Sequence, residues 1–518
     1  MPKSDSKLSI LLASPEVVGF AKTGGLAEVC GYLPAALSRL GHQIAVIMPL
    51  YRIVRQLGYP MTPIYPPLSI PMRGQTISVR LWKAQLPNSE ASIYFVEHPD
   101  LFERDDPTKG RGIYQFVQPD GKKIDYPDNC GRYSLFCRAV MEAIPLLGMN
   151  VDILHANDWQ TGLLPVYLQE LYQHRPGFRQ IRCLLTIHNL AYQGVFKSWE
   201  YPVTGLSWKL FNHQQLEFYG HLNFLKAGLV FADWINTVSP TYSKEIQTPE
   251  FGCGLEGVLS ERTHRLSGIV NGVDYHVWNS QSDMNLPERY DRETFGHGKA
   301  ICKAKLQEEF QLPVDSSKPI LGMIARLVEQ KGISLVLKGA ESIFSRGVQI
   351  IILGEGDAEY HKQLKKLKER YPHQLGLYLG FDEGLAHRVE AGSDLYLMPS
   401  SFEPSGLNQL YSLRYGTPPI VRATGGLADT IVDTTPETIH TDRATGFHFK
   451  EYTTEAFLSG VHRALDFYWT EHDRFRQIIR CGMRQDWSWD RSAKEYESLF
   501  YQMVQERNKV MKMGGKSS

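Results

Sequence analysis

The sequence predicts an α/β protein of two consecutive doubly wound domains. The chain has 518 residues, more than one compact hydrophobic core usually serves. Short apolar runs alternate with helix-length amphipathic segments along most of it, and this alternation is typical of parallel sheets covered by helices on both faces. A polar stretch interrupts the alternation, which then starts again. We therefore expect two Rossmann-like domains that face one deep cleft, because parallel sheets bind ligands at the carboxyl ends of their strands.

The first series of predicted elements begins with the strand "LSILLAS", the helix "EVCGYLPAALSRLG" and the strand "HQIAVIMPL". Residues 58–130 are rich in Pro, Gly and charge and predict a strand-bearing insertion. The second series opens with "KPILGMIARL" and "VQIIILGEGD". We expect a first domain over residues 1–275, a junction over 276–318 and a second domain over 319–485. Residues 486–518 predict a C-terminal helix that packs back toward the first domain, followed by a polar tail.

Composition excludes several classes of protein. Lys plus Arg and Asp plus Glu both number 56, which argues against a surface that binds nucleic acid or acidic lipid over the whole molecule. No apolar run reaches the length of about 20 residues that a membrane helix needs. The seven cysteines are scattered without a C-x-x-C pair, so we expect reduced thiols. The start of the chain lacks the pattern of a targeting segment, which indicates the cytoplasm, or the plastid stroma for a processed mature form.

A glycine-rich phrase occurs twice, as "KTGGLAE" at residues 22–28 and as "TGGLAD" at residues 424–429. Two adjacent glycines allow a tight turn whose N–H groups can bind an oxyanion at the start of a helix. For either copy taken alone, an ordinary chain reversal is the commoner reason for a glycine pair. Both phrases follow predicted strands, where ligands are expected.

Polar side chains of the types that bind sugars and phosphates directly follow several apolar runs. They are Asp158, His188, Asn189, Asn271, Asp274, Arg326, Lys331 and Glu403. Any one of them could instead be a helix cap or a buried hydrogen-bonding group. Arg326 and Lys331 lie five residues apart on a strand-to-helix connection, so they could converge on a diphosphate leaving group, although exposed cations are common there too. Glu403 precedes a Pro-Ser-Gly turn that opens a helix.

Eight motifs together resemble the bacterial glycogen synthase and plant starch synthase family. They are "KTGGLAEV", "HANDWQTGLLP", "TIHNLAYQG", "NTVSPTYSKEI", "IVNGVD", "IARLVEQKG", "FEPSGLNQLYSLRYGTPPIVRATGGLADTIVD" and "TGFHF". They occur in the family's order and spacing across nearly the whole chain. The resemblance implies a GT-B glycosyltransferase fold. It also implies a retaining enzyme that moves glucose from ADP-glucose to the non-reducing end of an α-1,4-glucan.

The resemblance also assigns roles by matching position. His188, Arg326, Lys331 and Glu403 would be catalytic: the His would contact the transferred glucose, the two cations would neutralise the diphosphate, and the Glu would lie beneath the sugar ring. Donor binding is assigned to Lys22, Gly24, Gly25, Asp158, Asn271, Phe381, Ser405, Gly406, Leu407, Thr424, Gly425 and Gly426. Glu28, where the family more often has Asp, is the candidate for binding the acceptor glucan.

Some positions depart from the family's usual pattern. Ser405 is often Cys in bacterial members, and the backbone amides beside it would still bind the donor. Phe381 replaces a common Tyr and keeps a ring to stack on adenine. We expect no cofactor and no metal ion, because two cations and amide dipoles can neutralise a diphosphate.

Other functions stay open on the sequence alone. The same fold could use UDP-glucose or a small acceptor, or the chain could be a non-catalytic glucan-binding homologue. A nicotinamide-dependent oxidoreductase is a more distant alternative, because "LGEGD" at residues 353–357 is only part of a dinucleotide fingerprint.

Overall fold

The computed structural model describes residues 7–72, 74–119 and 122–514. The chain divides into two compact units. The first contains the described residues up to Val238, Ser243–Gly272 and those from Trp489 onward, and the second contains Ser239–Tyr242 and Val273–Ser488. No helix in the described part of the chain is long and apolar enough to cross a bilayer.

The strands are numbered in chain order. They are β1 Ser9–Ala13, β2 Gln43–Pro49, β3 Thr62–Met72, β4 Gln75–Gln85, β5 Ser92–Glu97, β6 Gln115–Val117, β7 Lys123–Asp125, β8 Ile153–Asn157, β9 Arg182–Ile187, β10 Val195–Lys197, β11 Glu217–Phe218, β12 His221–Asn223, β13 Trp234–Thr237, β14 Leu266–Gly268, β15 Ile320–Ile324, β16 Gln349–Gly354, β17 Leu375–Leu379, β18 Leu395–Met398, β19 Pro419–Arg422 and β20 Phe447–Phe449.

The α-helices are numbered in the same way. They are α1 Gly25–Arg39, α2 Arg52–Gln56, α3 Pro99–Phe102, α4 Asn129–Leu146, α5 Leu163–Tyr167, α6 Phe224–Phe231, α7 Pro240–Glu245, α8 Glu256–Glu261, α9 Phe295–Glu309, α10 Ile333–Phe344, α11 Ala358–Arg370, α12 Glu383–Gly392, α13 Asn408–Arg414, α14 Gly425–Thr430, α15 Pro436–His440, α16 Thr454–Thr470, α17 His472–Arg484 and α18 Trp489–Gly514.

The first unit is built on a nine-stranded sheet in the order β14-β13-β9-β8-β1-β2-β5-β4-β3. The strands from β14 to β5 run parallel, and the β3–β4 hairpin adds antiparallel strands beside β5. This hairpin belongs to the segment that the sequence marked as a strand-bearing insertion. Strands such as β1 and β8 are almost wholly buried apolar runs, as expected for parallel strands covered on both faces.

The second unit is built on a six-stranded parallel sheet in the order β17-β16-β15-β18-β19-β20. Read by position along the chain, this is the 3-2-1-4-5-6 order of doubly wound dinucleotide-binding domains. The strand order reverses between β15 and β18, and the carboxyl ends of these two strands flank the reversal. The prediction of two doubly wound α/β domains is therefore confirmed.

Two segments outside the sheets complete the units. Residues 276–318, assigned to a junction by the sequence, lie in the second unit and contain α9. Helix α18 lies in the first unit and packs against α1. Gly272 permits a close approach there, because an added Cβ would lie 2.6 Å from the Cα of Trp489.

Candidate active site

In the first unit, β1, β8 and β9 are neighbours in the sheet, so the residues that follow them share one edge. We call this group, which contains Glu16, Asp158 and His188, the first-unit edge. Glu16 is 4%, Asp158 8% and His188 9% exposed. Three titratable side chains that are this deeply buried at strand ends are typical of a ligand-binding edge rather than of a solvated loop.

The first glycine phrase forms an open turn at this edge. Helix α1 begins at Gly25, and its N-cap residue Gly24 supplies no side-chain hydrogen bond. A Cβ added to Gly24 would meet no atom within 4 Å. Lys22 Nζ donates to Glu28 Oε1 at 2.6 Å, and the Lys22 side chain is 48% exposed. The first-turn N–H groups of this 15-residue helix can therefore meet an anion beside a cation.

Glu16 fixes the shape of this turn, and sequence reasoning missed it. Its Oε2 accepts from the backbone N–H of Thr23, and its Oε1 accepts from Thr23 Oγ1 at 2.6 Å and from the Tyr114 hydroxyl at 2.6 Å. Burial raises the pKa of Glu16, and the three hydrogen bonds oppose that rise. The available signal was a carboxylate three residues after the first strand, at the same kind of position as Asp158.

His188 is held as a neutral imidazole of defined tautomer. Its Nε2 lies 2.9 Å from Asn157 Oδ1, and the Asn157 amide group donates to the Ala13 carbonyl oxygen at 3.1 Å. The Asn157 oxygen must therefore accept, which places the imidazole proton on Nε2. Burial lowers the pKa of His188 to about 3. Its Nδ1 is buried and has no partner among the described residues, so this nitrogen keeps an unused acceptor lone pair.

Asp158 orients the histidine from the other side. Its Oδ1 accepts the backbone N–H of His188 at 2.7 Å. Asp158 has a positive φ of 56°, an uncommon conformation that Asp and Asn tolerate better than most residues. Burial raises the pKa of Asp158 to about 7. The carboxyl group is therefore poised to change charge near neutral pH.

In the second unit, the loops after β15 and β18 meet at the reversal of strand order. We call this group, which contains Lys331, Ser400 and Glu403, the second-unit edge. Lys331 Nζ donates to Glu403 Oε2 at 2.6 Å, and Ser400 Oγ donates to the same oxygen at 3.0 Å. Glu403 is 6% exposed. Among the described residues, nothing donates to its Oε1, which leaves that oxygen for a ligand hydroxyl.

Arg326 and Phe381 are exposed beside this sheet. Arg326 follows β15, and its guanidinium makes no ion pair within the described residues. Phe381 follows β17 and is 73% exposed. Arg326 lies on the connection after β15 that also carries Lys331, so its exposed guanidinium can provide a second cation for an anionic ligand. An exposed ring offers a face for stacking.

The second glycine phrase is packed against the Glu403 loop. A Cβ on Gly425 would lie 2.0 Å from the Glu403 carbonyl oxygen, and one on Gly426 would lie 2.0 Å from that of Ser405. Gly426 N–H donates to the Glu403 carbonyl oxygen at 3.0 Å. These glycines therefore allow two backbone segments to touch, which sets the position of the Glu403 side chain.

The remaining predicted site residues divide between the two units. Asn271 is buried in the first unit, and its Oδ1 has no partner in the described part of the chain. Asp274, in the second unit, accepts from the His276 backbone N–H at 2.9 Å. Four more of the predicted site residues lie on or beside the Glu403 loop, namely Ser405, Gly406, Leu407 and Thr424. In the described ranges, no group of three or more His, Cys, Asp or Glu side chains is placed to hold a metal ion.

Comparison with known families matches both units. The family described as "Starch synthase catalytic domain" matches residues 9–261, and "Glycosyl transferases group 1" matches residues 305–480. A glycogen synthase of Rhodopirellula baltica is 41% identical over 508 residues, covering 96% of this chain and 98% of the relative. Glycogen synthase 2 of Nitrosococcus oceani is 43% identical over 497 residues, covering 96% of this chain and 97% of the relative.

Solved structures agree with these sequence matches. The catalytic domain of starch synthase IV from Arabidopsis thaliana, bound to ADP and acarbose, matches with a TM-score of 0.85 and 29% identity, covering 96% of this chain and 100% of that one. Sucrose-phosphate synthase from Thermosynechococcus elongatus matches with a TM-score of 0.55 and 15% identity, covering 96% and 100% of the two chains. The second likeness shows the fold alone, which is the GT-B fold. The chain belongs to the glycogen synthase and starch synthase family of glycosyltransferases.

Proposed function

We propose that this enzyme elongates an α-1,4-glucan by transferring glucose from ADP-glucose to a non-reducing end, with retention of the anomeric configuration. The observation that carries the proposal is the Lys331–Glu403 pair at the strand-order reversal of the second unit, with Nζ and Oε2 2.6 Å apart. A cation and a carboxylate side by side can bind the two parts of a nucleotide sugar, since the cation suits the diphosphate and the carboxylate suits the sugar hydroxyls.

Bond breaking in the donor produces negative charge on the departing ADP. We assign neutralisation of that charge to Lys331 and Arg326, which can stabilise the leaving oxygen without a proton transfer. Glu403 accepts hydroxyl hydrogens of the transferred glucose through Oε1, while Ser400 and Lys331 hold Oε2. Stacking of the adenine is assigned to Phe381. Backbone N–H groups of Ser405, Gly406 and Leu407, with the 424–426 segment behind them, complete the donor-binding set.

The first unit supplies groups for the transferred glucose and for the acceptor. His188 presents an unprotonated Nδ1, so it acts as a hydrogen-bond acceptor toward a sugar hydroxyl rather than as an acid. Lys22, Gly24 and Gly25 are assigned to the donor's phosphates and sugar, Asp158 to the glucose, Asn271 to the donor and Glu28 to the acceptor glucan. The acceptor hydroxyl attacks on the face from which ADP departs, through an oxocarbenium-like state, and gives its proton to the departing phosphate oxygen of ADP. This path gives retention. We propose no metal ion and no cofactor for this step, because these cations and amide dipoles can neutralise the diphosphate.

The proposed compartment is the cytoplasm, or the plastid stroma for a processed form. All seven cysteines have free thiols, and six of them are buried. Free thiols are expected in a reducing environment, which supports this assignment.

The test is incorporation of labelled glucose into glycogen from ADP-glucose and, in parallel, from UDP-glucose. Label that is incorporated from ADP-glucose and released by an α-1,4-specific amylase is the expected result. Transfer from UDP-glucose alone would overturn the donor assignment. Glucan binding without incorporation from either donor would indicate a non-catalytic homologue.

A paired set of variants tests the role of Glu403. Glu403→Gln keeps the shape of the side chain and removes its charge, and we expect transfer to fall by about 100- to 1000-fold, the cost of losing one well-placed electrostatic contact. Glu341→Gln is the matched control, because Glu341 is an exposed carboxylate paired with Arg370. Equal activity of the two variants would contradict the assigned role.

A further inference from the structure

A cavity of about 320 Å³ lies in the first unit, away from the first-unit edge. Among its lining residues are Arg182, the first residue of β9, and Trp234, the first residue of β13. His188 follows the last residue of β9, so six residues of extended chain, roughly 20 Å, separate Arg182 from it. The cavity is therefore distinct from the proposed active site.

The lining of this cavity is strongly cationic. It contains four arginines, Arg182, Arg262, Arg265 and Arg507, against the carboxylates of Asp233 and Glu506. Asp152 lies outside the lining but pairs with Arg507 at 3.1 Å, so four positive and three negative side chains leave a formal excess of one positive charge. A partly enclosed excess of this kind raises the local concentration of anions, because the surrounding protein screens charge less than water does.

Two of the arginines are committed to the protein backbone and neighbouring side chains. Arg262 donates to the carbonyl oxygens of Leu229, Val230 and Ala232 at 2.8, 2.6 and 2.6 Å, which satisfies the C-terminal end of α6. Arg507 donates to Asp152 Oδ1 at 3.1 Å and to the Gln180 carbonyl oxygen at 2.9 Å. These two residues shape the cavity and contribute charge to it.

The other two arginines keep donors for a ligand. Arg182 Nε lies 3.7 Å from Asp233 Oδ1, too far for a hydrogen bond. Arg265 makes an ion pair with Glu506 through one nitrogen. A guanidinium carries five N–H donors, so both side chains have donors beyond those contacts.

Trp234 adds an independent sign of a missing partner. Its side chain lines the cavity and is 7% exposed. The indole N–H is buried and has no acceptor among the described residues, whereas buried Trp N–H groups usually have one. The Arg265 guanidinium lies over its ring, 4.9 Å from the centroid, so the unpaired donor and an arginine with spare donors are adjacent.

We propose that this cavity binds a small phosphate-bearing anion, a short inorganic polyphosphate or a phosphate ester, through Arg182 and Arg265, beside Trp234. The site joins α18 to the sheet of the first unit, because Glu506 and Arg507 belong to α18 while Arg182 and Trp234 begin strands. Bound anion is therefore expected to strengthen the docking of α18 on this unit. A volume of about 320 Å³ is at the small end of the usual range for small-molecule sites.

The Arg265–Glu506 ion pair allows a decisive test, because either partner can be neutralised. Binding of magnesium-free pyrophosphate is measured by calorimetry on the full chain, with inorganic phosphate and a hexose monophosphate titrated in parallel. Arg265→Gln should weaken pyrophosphate binding about tenfold or more, since it removes a charged donor. Glu506→Gln should tighten binding about threefold or more, since it removes a competing carboxylate.

Both variants break the ion pair equally. A purely structural ion pair would therefore not give opposite effects of the two variants on pyrophosphate binding. Arg175→Gln is the matched control, because Arg175 forms an ion pair with Glu142 at 3.0 Å outside the cavity, and it should leave binding unchanged. Arg182→Gln provides a second weakening variant if Arg265→Gln fails to fold. The proposed donor site also binds a diphosphate, so Lys331→Gln should remove any pyrophosphate bound there and keep the binding that depends on Arg265, since Lys331 lies in the other unit.

Three outcomes would overturn the proposal. They are equal pyrophosphate affinity in wild type, Arg182→Gln and Arg265→Gln, loss of all binding in Lys331→Gln, and changes of the same sign in Arg265→Gln and Glu506→Gln. Which of the three phosphate compounds binds best identifies the source of the anion.

Discussion

Replacement of Glu16 by Gln is expected to impair catalysis without destabilising the fold. The Glu16 carboxylate accepts three hydrogen bonds, two from Thr23 and one from Tyr114. A Gln side chain can satisfy the same partners, because its amide oxygen can accept from the backbone N–H of Thr23 while its NH₂ group donates to the two hydroxyl groups, which also accept. The turn that carries Gly24 and Gly25 is then held by neutral hydrogen bonds in place of charge-assisted ones.

The magnitude follows from the charge that is lost. A hydrogen bond to a charged acceptor contributes about 1.5–3 kcal/mol and one to a neutral acceptor about 0.5–1.5 kcal/mol. If the transition state needs the turn held in place by the charged acceptor, a cost of about 1–1.5 kcal/mol lowers kcat/KM by roughly 5- to 12-fold. Tyr114→Phe removes a single neutral donor and leaves Thr23 in place, so its effect should be smaller.

The stability of Glu16→Gln should stay the same or increase, whereas its activity should fall. Burial raises the pKa of Glu16 in the folded protein. The folded state therefore holds the proton more tightly than the unfolded state, and stability decreases as pH rises from the unfolded-state pKa through the folded-state pKa. At neutral pH the charge costs stability, so Glu16→Gln should unfold at the same temperature as wild type or higher. Steady-state transfer from ADP-glucose and calorimetric unfolding measure the two effects. Unchanged kcat/KM, or a loss of activity that tracks a loss of stability, would refute the positioning role.

Three further predictions concern ionisation and backbone packing. Burial raises the pKa of Asp158 to about 7, so kcat/KM should depend on an ionisation near pH 7 that is absent in Asp158→Asn. Wild type should lose stability as pH rises from about 4 to 7, so the variant should become more stable relative to it over that range. Burial lowers the pKa of His188 to about 3, so its ring NMR signals should not titrate between pH 5 and 8. Wild type should lose stability as pH falls below about 6.5, because the unfolded chain takes up the proton there, and His188→Gln should lack this loss. Gly24→Ala should leave the unfolding temperature near that of wild type, because nothing lies within 4 Å of the added Cβ. Gly426→Ala places a Cβ 2.0 Å from a carbonyl oxygen, so its free energy of unfolding should fall by roughly 1–3 kcal/mol or more. A titrating His188, a pH profile unchanged in Asp158→Asn, or equal unfolding temperatures of the two alanine variants would each contradict the corresponding argument.

The architecture was predictable because apolar periodicity reports burial. Parallel strands covered on both faces are continuous apolar runs, and segments such as 9–13 and 349–354 show them directly in the sequence. The order of strands within each sheet was not predictable at the same level, because it depends on which crossovers pack best over the whole unit. The antiparallel hairpin β3–β4 lies in a segment whose prolines and charges hid its register.

The geometry of the candidate site was predictable where a polar side chain directly follows a strand. Lys331 and Glu403 were named from their positions after apolar runs, and the structure brings them into contact. Glu16 and Asn157 were missed because they act through hydrogen bonds to other parts of the chain, and such partners are invisible in sequence spacing. The unpartnered indole of Trp234 could not be foreseen either, since only the packed structure shows which buried donors lack an acceptor.

The repeated glycine phrase shows that one sequence pattern serves two different physical purposes. At residues 22–28 the glycines are exposed, the helix that follows has 15 residues, and Gly24 has open space beside it. At residues 424–429 the glycines are buried, the helix has six residues, and each missing Cβ makes room for a backbone carbonyl of the Glu403 loop. The first copy therefore leaves its N–H groups accessible to a ligand, and the second positions the loop whose Glu403 carboxylate we propose to contact the ligand. A glycine pair after a strand predicts that something approaches the backbone closely, and only packing decides whether it is a substrate or the chain itself.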